Sequence, residues 1–307
     1  MRVGPQGDLP QDDRPPTGLS ARTSAALRLA LFASAVLMLL PVQQVLVWIG
    51  SPASRWLPSF FHRMMTRVFG IRVEIRGVPV EEQSVLFVSN HSTYLDITVL
   101  GGVLTGCVFV AKTEVRSYPL FGYLARLQRT IFVDRRVRTT AKQRDSLVER
   151  LSRGERVVLF PEGTSSDGNR VLPFKSSLLG AAEIRLGADP ATNSGGRAIA
   201  VQPVSVTYTQ LDGMPMGRTL RPMFAWYGDM DLAPHLWEMA GLGVATVVVE
   251  FHAPVSIDAF GSRKALTDHC WRAVASGVAS ALSGREQRIA PPLAPAAPAA
   301  LPAPALP

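Results

Sequence analysis

Cysteine is scarce in this 307-residue chain, which contains only Cys107 and Cys270. The two lie far apart in apolar surroundings, so the sequence predicts neither a disulfide framework nor a cysteine-based zinc site. The five histidines lack the paired spacing of metal ligands, and we expect no structural metal. Charged residues are also few, at 18%, against 47% hydrophobic residues. This balance is apolar for a soluble protein, and the length suffices for one domain with a large core.

The charge that is present is mainly positive. Arg and Lys together number 32 and Asp and Glu 24, which gives a formal net charge of +8. A surface of this kind suits an anionic partner: a lipid headgroup, a bilayer surface, an acidic carrier protein or nucleic acid. Because no recognisable nucleic-acid-binding module accompanies the charge, we expect no nucleic-acid partner.

The ends of the chain differ in composition from the middle. Residues 1–24 are rich in Pro, Gly, Asp and Arg, and residues 286–307 repeat Pro and Ala, so we predict that both segments are disordered. Residues 25–70 combine an apolar run with an amphipathic stretch and are predicted to anchor the chain to a membrane. Residues 71–285 are predicted to form one domain.

The apolar run from Leu29 to Leu40, resumed from Val45 to Ile49, is the main membrane signal. No suitable signal-peptide cleavage site follows it, which favours a retained anchor. Pro41 and the glutamines after it fit poorly in a simple spanning helix, so the segment either crosses the bilayer or dips in and returns. A buried helix of the globular domain is the alternative. The arginines between residues 55 and 76 place the downstream domain on the cytoplasmic side of the inner membrane.

The stretch from residue 56 to 69 has a helical period. Its apolar stripe lies opposite Arg63 and Arg67 and consists of Leu57, Phe60, Phe61, Met64, Met65 and Val68. Such a helix can lie in a membrane interface with its guanidinium groups near lipid phosphates. It can equally be an ordinary amphipathic helix on a globular core, and both interpretations stay open here.

From residue 71 onward, short apolar runs alternate with helical patterns. Strands are predicted at 72–75, 85–88, 107–110, 130–133, 156–160, 198–206 and 246–252, and helices at 139–153, 177–186 and 264–282. This order predicts an α/β fold, with helices on both faces of the sheet. Pro203, inside a predicted strand, indicates an edge strand or a bulge.

The motif Asn90-His91-Ser92-Thr93-Tyr94-Leu95-Asp96 follows the strand at 85–88. Five residues at about 100° each do not align on one helical face, so His91 is expected in the turn and Asp96 on the following helix. The carboxylate can then hold one imidazole nitrogen and leave the other free as a base. A buried His and an Asp that only pack and cap are the alternative for this pair alone.

Other predicted strands also end in residues of catalytic type. Arg135 follows the strand at 130–133, and Glu162 to Ser166 follow the strand at 156–160. Each of these residues alone could have a purely structural role, Arg135 in an ion pair and Glu162 in a turn. Three such endings in one α/β domain predict a single site at one edge of the sheet.

At this point the chain resembles the glycerolipid O-acyltransferases typified by 1-acyl-glycerol-3-phosphate acyltransferase. The four blocks that carry the resemblance, over about residues 70–255, are Asn90 to Asp96, Thr130 to Arg135, Phe160 to Ser166 and Val201 to Val206. The resemblance implies a mixed, mostly parallel sheet flanked by helices, as in glycerol-3-phosphate acyltransferase. Phe174-Lys175-Ser176-Ser177 departs from the usual Phe-Lys-x-Gly, in a region expected near the acceptor headgroup.

The reaction implied by the resemblance is transfer of a fatty acyl group from acyl-CoA or an acyl carrier protein to a lipid hydroxyl. His91 is the expected base for the hydroxyl, and Asp96 the group that orients it. Ser92 and Ser89 are the nearest rival nucleophiles, and we expect direct transfer without an acyl-enzyme. Backbone amides of the Gly163 turn, or those around His91, are expected to stabilise the oxyanion. No metal or bound cofactor is implied.

For the acceptor, the resemblance implies 1-acyl-sn-glycerol-3-phosphate, which would make phosphatidic acid in phospholipid biosynthesis. The residues expected to bind substrate are Arg135 through the acceptor phosphate, Gly163 and Thr164 in the turn, Lys175 as a second cation, and Pro203 in the wall of the acyl-donor site. Glu162 is expected either to bind acceptor hydroxyls or to help order Arg135. A lyso-ornithine lipid or another lyso-lipid is the alternative acceptor. A non-catalytic lipid-binding membrane protein is the distant alternative.

Overall fold

The computed structural model describes residues 18–81, 84–133, 140–187 and 195–284. The strands are β1 Ile71–Arg76, β2 Val85–Ser89, β3 Val108–Lys112, β4 Ile131–Val133, β5 Val157–Leu159, β6 Arg185–Leu186, β7 Arg197–Ala198, β8 Ala200–Leu211, β9 Met214–Pro215 and β10 Ala245–Phe251. The α-helices are α1 Leu19–Trp48, α2 Leu57–Val68, α3 Leu95–Val103, α4 Pro119–Leu127, α5 Thr140–Ser152, α6 Leu232–Gly241 and α7 Arg263–Ser283.

One mixed sheet organises the domain, in the order β1-β10-β8-β2-β5-β3-β4, and β9 pairs with β8. β8, β2, β5, β3 and β4 are parallel to one another, whereas β10 is antiparallel to β8 and β1 is parallel to β10. The predicted mixed, mostly parallel sheet is therefore confirmed. Since parallel neighbours share one direction, the carboxyl ends of β2, β5, β3 and β4 meet at one edge.

Two apolar cores flank this sheet, because side chains alternate across each strand. In β2, Val85 and Phe87 belong to the core that includes residues of α1, α2, α3 and α6. Leu86 and Val88 belong to the core that includes residues of α5 and α7. All four are fully buried, which explains why this strand has a continuous apolar sequence.

Pro203 lies inside the sheet, in a part of β8 without a register shift, so the prediction that it marks an edge strand or a bulge is wrong. β8 has β2 on one side, where Val88 pairs with Pro203, and β10 on the other. The His252 backbone N–H donates to the Pro203 carbonyl at 3.0 Å, but proline has no N–H to return the bond. The Gln202 side chain donates to the His252 carbonyl instead, at 2.9 Å. A neighbouring amide therefore replaces the missing backbone donor.

Helix α1 is one continuous helix of 30 residues with Pro41 inside it. It begins at Leu19, within the segment that composition predicted to be disordered; residues 1–17 lie outside the described residues, as do residues 285–307 of the predicted tail. The helix packs on the domain near both ends. Arg28 donates to the carbonyl of Leu242 at 2.6 Å, and Gln43 donates to that of Leu127 at 3.0 Å. Most of its other apolar side chains remain at least partly exposed.

Helix α2 confirms the predicted helix at residues 56–69. Its most buried side, however, is not the centre of its apolar stripe. Its buried residues are Ser59, His62, Met65 and Thr66, whereas Phe60 is 55% exposed. The side that carries Ser59, His62 and Thr66 packs against the domain, where His62 lies against Gly101 of α3. Phe61, Met64 and Val68 of the stripe are partly buried against the same core, while Arg63 and Arg67 are exposed. Part of the apolar stripe faces outward, as in a helix that contacts a lipid interface.

Three further differences from the predicted elements concern the second half of the chain. The helix expected at 177–186 is a 3-10 helix, Ser176–Glu183, followed by β6. β8 continues to Leu211, well past the predicted end of its strand. Helix α6 was not predicted, and it packs against α1.

Candidate active site

The loop after β2 brings His91 and Asp96 together, in the arrangement that their spacing predicted. His91 lies in the turn, and Asp96 lies in the first turn of α3. The His91 Nδ1 atom is 3.0 Å from Asp96 Oδ2. His91 Nε2 makes no hydrogen bond to any described residue, and the His91 side chain is 21% exposed. The geometry therefore leaves one ring nitrogen free to exchange a proton with a bound molecule.

Asp96 is fully buried, yet hydrogen-bond donors surround its carboxylate. Oδ2 accepts the backbone N–H groups of Ser92 at 2.7 Å and Thr93 at 3.0 Å, in addition to its contact with His91. Oδ1 lies 3.1 Å from the hydroxyl of Tyr208, on β8. These donors stabilise a buried negative charge, which would otherwise be costly. Tyr208 lies just beyond the fourth sequence block and was missed by the sequence analysis.

An aromatic ring fixes the plane of the imidazole. The Phe160 ring stacks on the His91 ring, with centroids 4.3 Å apart and an interplanar angle of 21°. Phe160 directly follows β5, so two neighbouring parallel strands hold the base between them. On the other side of the loop, the Trp226 backbone N–H donates to the Ser92 carbonyl at 2.8 Å.

Glu162 supports the backbone of this loop. Its Oε1 accepts the N–H of His91 at 2.8 Å and its Oε2 accepts the N–H of Leu172 at 3.0 Å. Burial raises the pKa of the Glu162 carboxyl to about 8; the two N–H groups oppose the rise, and the nearby Asp96 charge adds to it. The carboxyl is 1% exposed, so the expectation that it binds acceptor hydroxyls is not supported by its position.

The turn that follows Glu162 opens onto the cavity beside His91. Gly163 has φ +70°, a left-handed conformation that favours glycine. The amides at the start of the His91 loop are already occupied, because His91 donates to Glu162 while Ser92 and Thr93 donate to Asp96. The backbone amides of Thr164 and Ser165 have no acceptor among the described residues. Thr164 and Ser165, in the Gly163 turn, are therefore candidate oxyanion donors.

A cavity of about 940 Å³ extends from His91 into the domain. It is bounded by helices α1, α2, α3 and α4 and by the ends of β3, β4 and β5, and its apolar lining includes Phe32, Val36, Leu39, Phe61, Ile97, Phe109, Phe121 and Leu124. Tyr94, three residues after His91, also lines the cavity, as does Trp226, whose ring contacts that of Tyr94. A space of this size and lining suits a hydrocarbon chain.

The other predicted site residues are distributed unevenly. Gly163 and Thr164 line the cavity. Lys175 is exposed and does not line it, and the Lys175 backbone N–H donates to the Pro161 carbonyl at 2.9 Å. Pro203 also does not line it, contrary to the expectation that it shapes the acyl-donor wall. Arg135 lies outside the described residues.

The two rival nucleophiles are enclosed. Ser89 is fully buried and donates to the Asn90 carbonyl, and Ser92 is 2% exposed. The Asn90 side chain in turn exchanges two hydrogen bonds of 2.9 Å with the backbone of Val206, joining the loop to β8. Neither serine hydroxyl lines the cavity, so the free nitrogen of His91 is the better-placed proton acceptor.

Comparison with known proteins agrees with this geometry. A family model described as Acyltransferase matches residues 71–207, a range that contains all four sequence blocks. The chain is 44% identical to the lyso-ornithine lipid O-acyltransferase of Brucella abortus, over 81% of this chain and 92% of that protein. It is 42% identical to the protein of the same name from Rhizobium meliloti, over 83% and 85%.

Two further proteins are similar at greater distance. The 1-acyl-sn-glycerol-3-phosphate acyltransferase of Neisseria gonorrhoeae is 30% identical, over 66% of this chain and 73% of that protein. The crystal structure of the 1-acyl-sn-glycerophosphate acyltransferase of Thermotoga maritima has the same fold, with a TM-score of 0.50 and 24% identity over 75% of this chain and 80% of that one. From the extent and identity of these matches, the chain belongs to the acyltransferase family and is an acyltransferase.

Proposed function

We propose that this chain transfers a fatty acyl group from a thioester to the free hydroxyl of a lyso-ornithine lipid. The observation that carries the proposal is the 44% identity to a relative of that name, over nearly all of that relative's length. The relative named for 1-acyl-sn-glycerol-3-phosphate is 30% identical over a smaller share. The relatives of higher identity therefore favour the acceptor that the sequence analysis had kept as its alternative. 1-Acyl-sn-glycerol-3-phosphate becomes the second candidate.

The position of Lys175 supports the change of acceptor. A phosphate headgroup calls for cations that point into the site. Lys175, the predicted second cation, is exposed and lies off the cavity. The cations among the described lining residues are Lys112 and Arg263, and Arg263 pairs with Glu183 at 3.0 Å. An ornithine headgroup carries an ammonium and a carboxylate instead of a phosphate, so it calls for fewer cations.

In the proposed mechanism, His91 Nε2 removes the hydroxyl proton while the acceptor oxygen attacks the thioester carbonyl carbon. Asp96 holds Nδ1 and stabilises the imidazolium that forms. The amides of Thr164 and Ser165 are the donors available to the oxyanion of the tetrahedral intermediate. The carbon–sulfur bond then breaks, and the thiolate leaves with the proton from His91. No step requires a metal or a bound cofactor, and acyl-CoA or an acyl carrier protein supplies the acyl group.

The N-terminal helices are proposed to hold the enzyme on the cytoplasmic face of the inner membrane. Helix α1 is long and apolar enough to cross a bilayer. It is also attached to the domain near both ends, through Arg28 and Gln43, and would be about 45 Å long at 1.5 Å per residue. A helix held in this way would carry the domain into the bilayer if it crossed. We therefore propose that it lies along one leaflet, beside the exposed apolar residues Trp48, Trp56 and Phe60.

An acceptor panel tests the function. The purified full-length chain in lipid nanodiscs is given lyso-ornithine lipid or 1-acyl-sn-glycerol-3-phosphate, each with acyl-CoA and with acyl carrier protein as donor. We expect kcat/KM to be at least about tenfold higher for lyso-ornithine lipid, since discrimination between headgroups rests on several polar contacts. A higher value for 1-acyl-sn-glycerol-3-phosphate would assign the second candidate, and transfer to neither acceptor would refute both.

A further inference from the structure

The two oxygens of the Asp96 carboxylate are held unequally. Oδ2 lies within 3.0 Å of three donors, namely His91 Nδ1 and the amides of Ser92 and Thr93. Oδ1 lies 3.1 Å from the Tyr208 hydroxyl and 3.5 Å from the Ser92 hydroxyl. Tyr208 is therefore the main partner of the second oxygen. It comes from β8, whereas the other donors come from the loop that directly precedes Asp96 and α3.

We propose that Tyr208 is a positioning residue for the acyl transfer, which acts by fixing the rotation of the Asp96 carboxylate and, through it, the His91 ring. The proposal rests on the role of His91 as the base. The last torsion of an aspartate side chain is a broad, weakly restricted rotation. Its orientation must therefore come from donors on both oxygens, and Tyr208 is the better placed of the two donors at Oδ1.

The tyrosine is rigid enough for this task. Its ring is 2% exposed and stacks on Phe224, with centroids 5.7 Å apart and an interplanar angle of 17°. Its backbone pairs with Val247 of β10, and its carbonyl accepts the Nε–H of Arg221 at 3.2 Å. The position of the hydroxyl is thus set by the sheet, independently of the His91 loop.

The direction of the hydrogen bond is also fixed. An ionised carboxylate only accepts hydrogen bonds, so the Tyr208 hydroxyl is the donor. Burial raises the pKa of Tyr208 well above its usual range, and the nearby Asp96 charge raises it further. The phenol therefore stays protonated and keeps donating across the pH range of an acyltransferase assay.

The test is Tyr208→Phe, which removes one oxygen and keeps the stacked ring. Because this variant loses a hydrogen bond to a charged group, we expect kcat to fall about tenfold, with KM for the acceptor nearly unchanged. The matched control is Tyr123→Phe, whose hydroxyl contacts Gln44 on α1 instead; it should leave kcat unchanged.

Two further measurements separate positioning from a loss of structure. If Tyr208 acts through Asp96, the double variant Tyr208→Phe with Asp96→Asn should be no slower than Asp96→Asn alone. Replacing Tyr208 with difluorotyrosine, which keeps the hydroxyl, should restore most of the kcat that Phe loses. Additive losses in the double variant, or an unchanged kcat in Tyr208→Phe, would overturn the proposal. Full activity of His91→Ala would instead refute the underlying mechanism.

Discussion

Two histidines line the same cavity in opposite circumstances. His91 has Asp96 on one ring nitrogen and leaves the other open toward the cavity. His62, on α2, is 7% exposed, and its ring nitrogens make no hydrogen bond of good geometry to a described residue. Burial lowers the pKa of His62 to about 4, and the Gln128 side chain offsets only part of that shift.

The contrast shows how the two regions of the cavity are constructed. At the carboxyl ends of the strands, a buried charge is stabilised by donors from the loop and from β8. At the helices, a polar ring is buried by packing, with Gly101 of α3 leaving it space. The first arrangement can accept a proton and stabilise it, whereas the second resists protonation. The position of a histidine in the fold, and not its presence on a cavity, decides which chemistry it can perform.

The largest expected effect is that of His91→Ala. Removing a general base commonly lowers turnover by about 10² to 10⁴-fold, and we expect a loss of this size in kcat. Binding of the lyso-lipid, measured by equilibrium dialysis in nanodiscs, should persist because the cavity walls are unchanged. His269→Ala, on α7 and in ring contact with Phe260, is the matched control and should retain full turnover. Unchanged acyl transfer by His91→Ala would show that His91 is not the base, and the proposed difference in role between the two histidines would be wrong.

A smaller loss is expected for Glu162→Gln. In an assay above pH 8, where Glu162 is ionised, its carboxylate accepts one backbone N–H on each oxygen, whereas an amide offers one acceptor and one donor. The NH₂ group of the new amide would face the backbone N–H of either His91 or Leu172, which then loses its acceptor. We expect the loop to shift and kcat to fall by about tenfold or more. Glu149→Gln breaks an exposed pair with Arg153 and serves as the control, with no expected change in turnover. Equal activity in both variants would show that Glu162 does not position the base.

The last expected effect concerns stability instead of turnover, and His62 contributes to it. Its folded-state pKa of about 4 is lower than that of a free imidazole, so the unfolded chain binds the proton first as the pH falls. Stability should therefore be complete above about pH 6.5 and decline toward pH 4, by about 3 kcal/mol for this group. Thermal unfolding of the detergent-solubilised protein across this range measures the decline.

His62→Leu should make the loss of stability at low pH smaller without abolishing it. Part of the loss should persist because burial also lowers the pKa of His252 to about 4, with His269 adding to the effect. An identical pH dependence in the parent chain and in His62→Leu would show that the His62 ring is not buried in its neutral form. That result would weaken the contrast with His91 without affecting the proposed catalysis.

Local pattern was enough to predict the strands and the turn that carries His91, because both depend on residues close in sequence. The role of Glu162 was not predictable in the same way. Its neighbours indicated a turn that binds substrate, but its oxygens are occupied by backbone N–H groups from His91 and Leu172, and one of these lies 71 residues away. Pro203 likewise indicated an edge strand or a bulge, because the sequence could not show that Gln202 would replace its missing donor.

The sequence by itself determined the family, the α/β class of the domain and the identity of the His91–Asp96 pair, since these follow from short blocks and from periodicity. Only the tertiary structure decided what surrounds that pair: Tyr208 on Asp96, Glu162 beneath the loop, and a helix α1 attached to the domain near both ends. The physical reason is that hydrogen bonds and burial between distant segments depend on how strands align across the sheet, which no local pattern specifies.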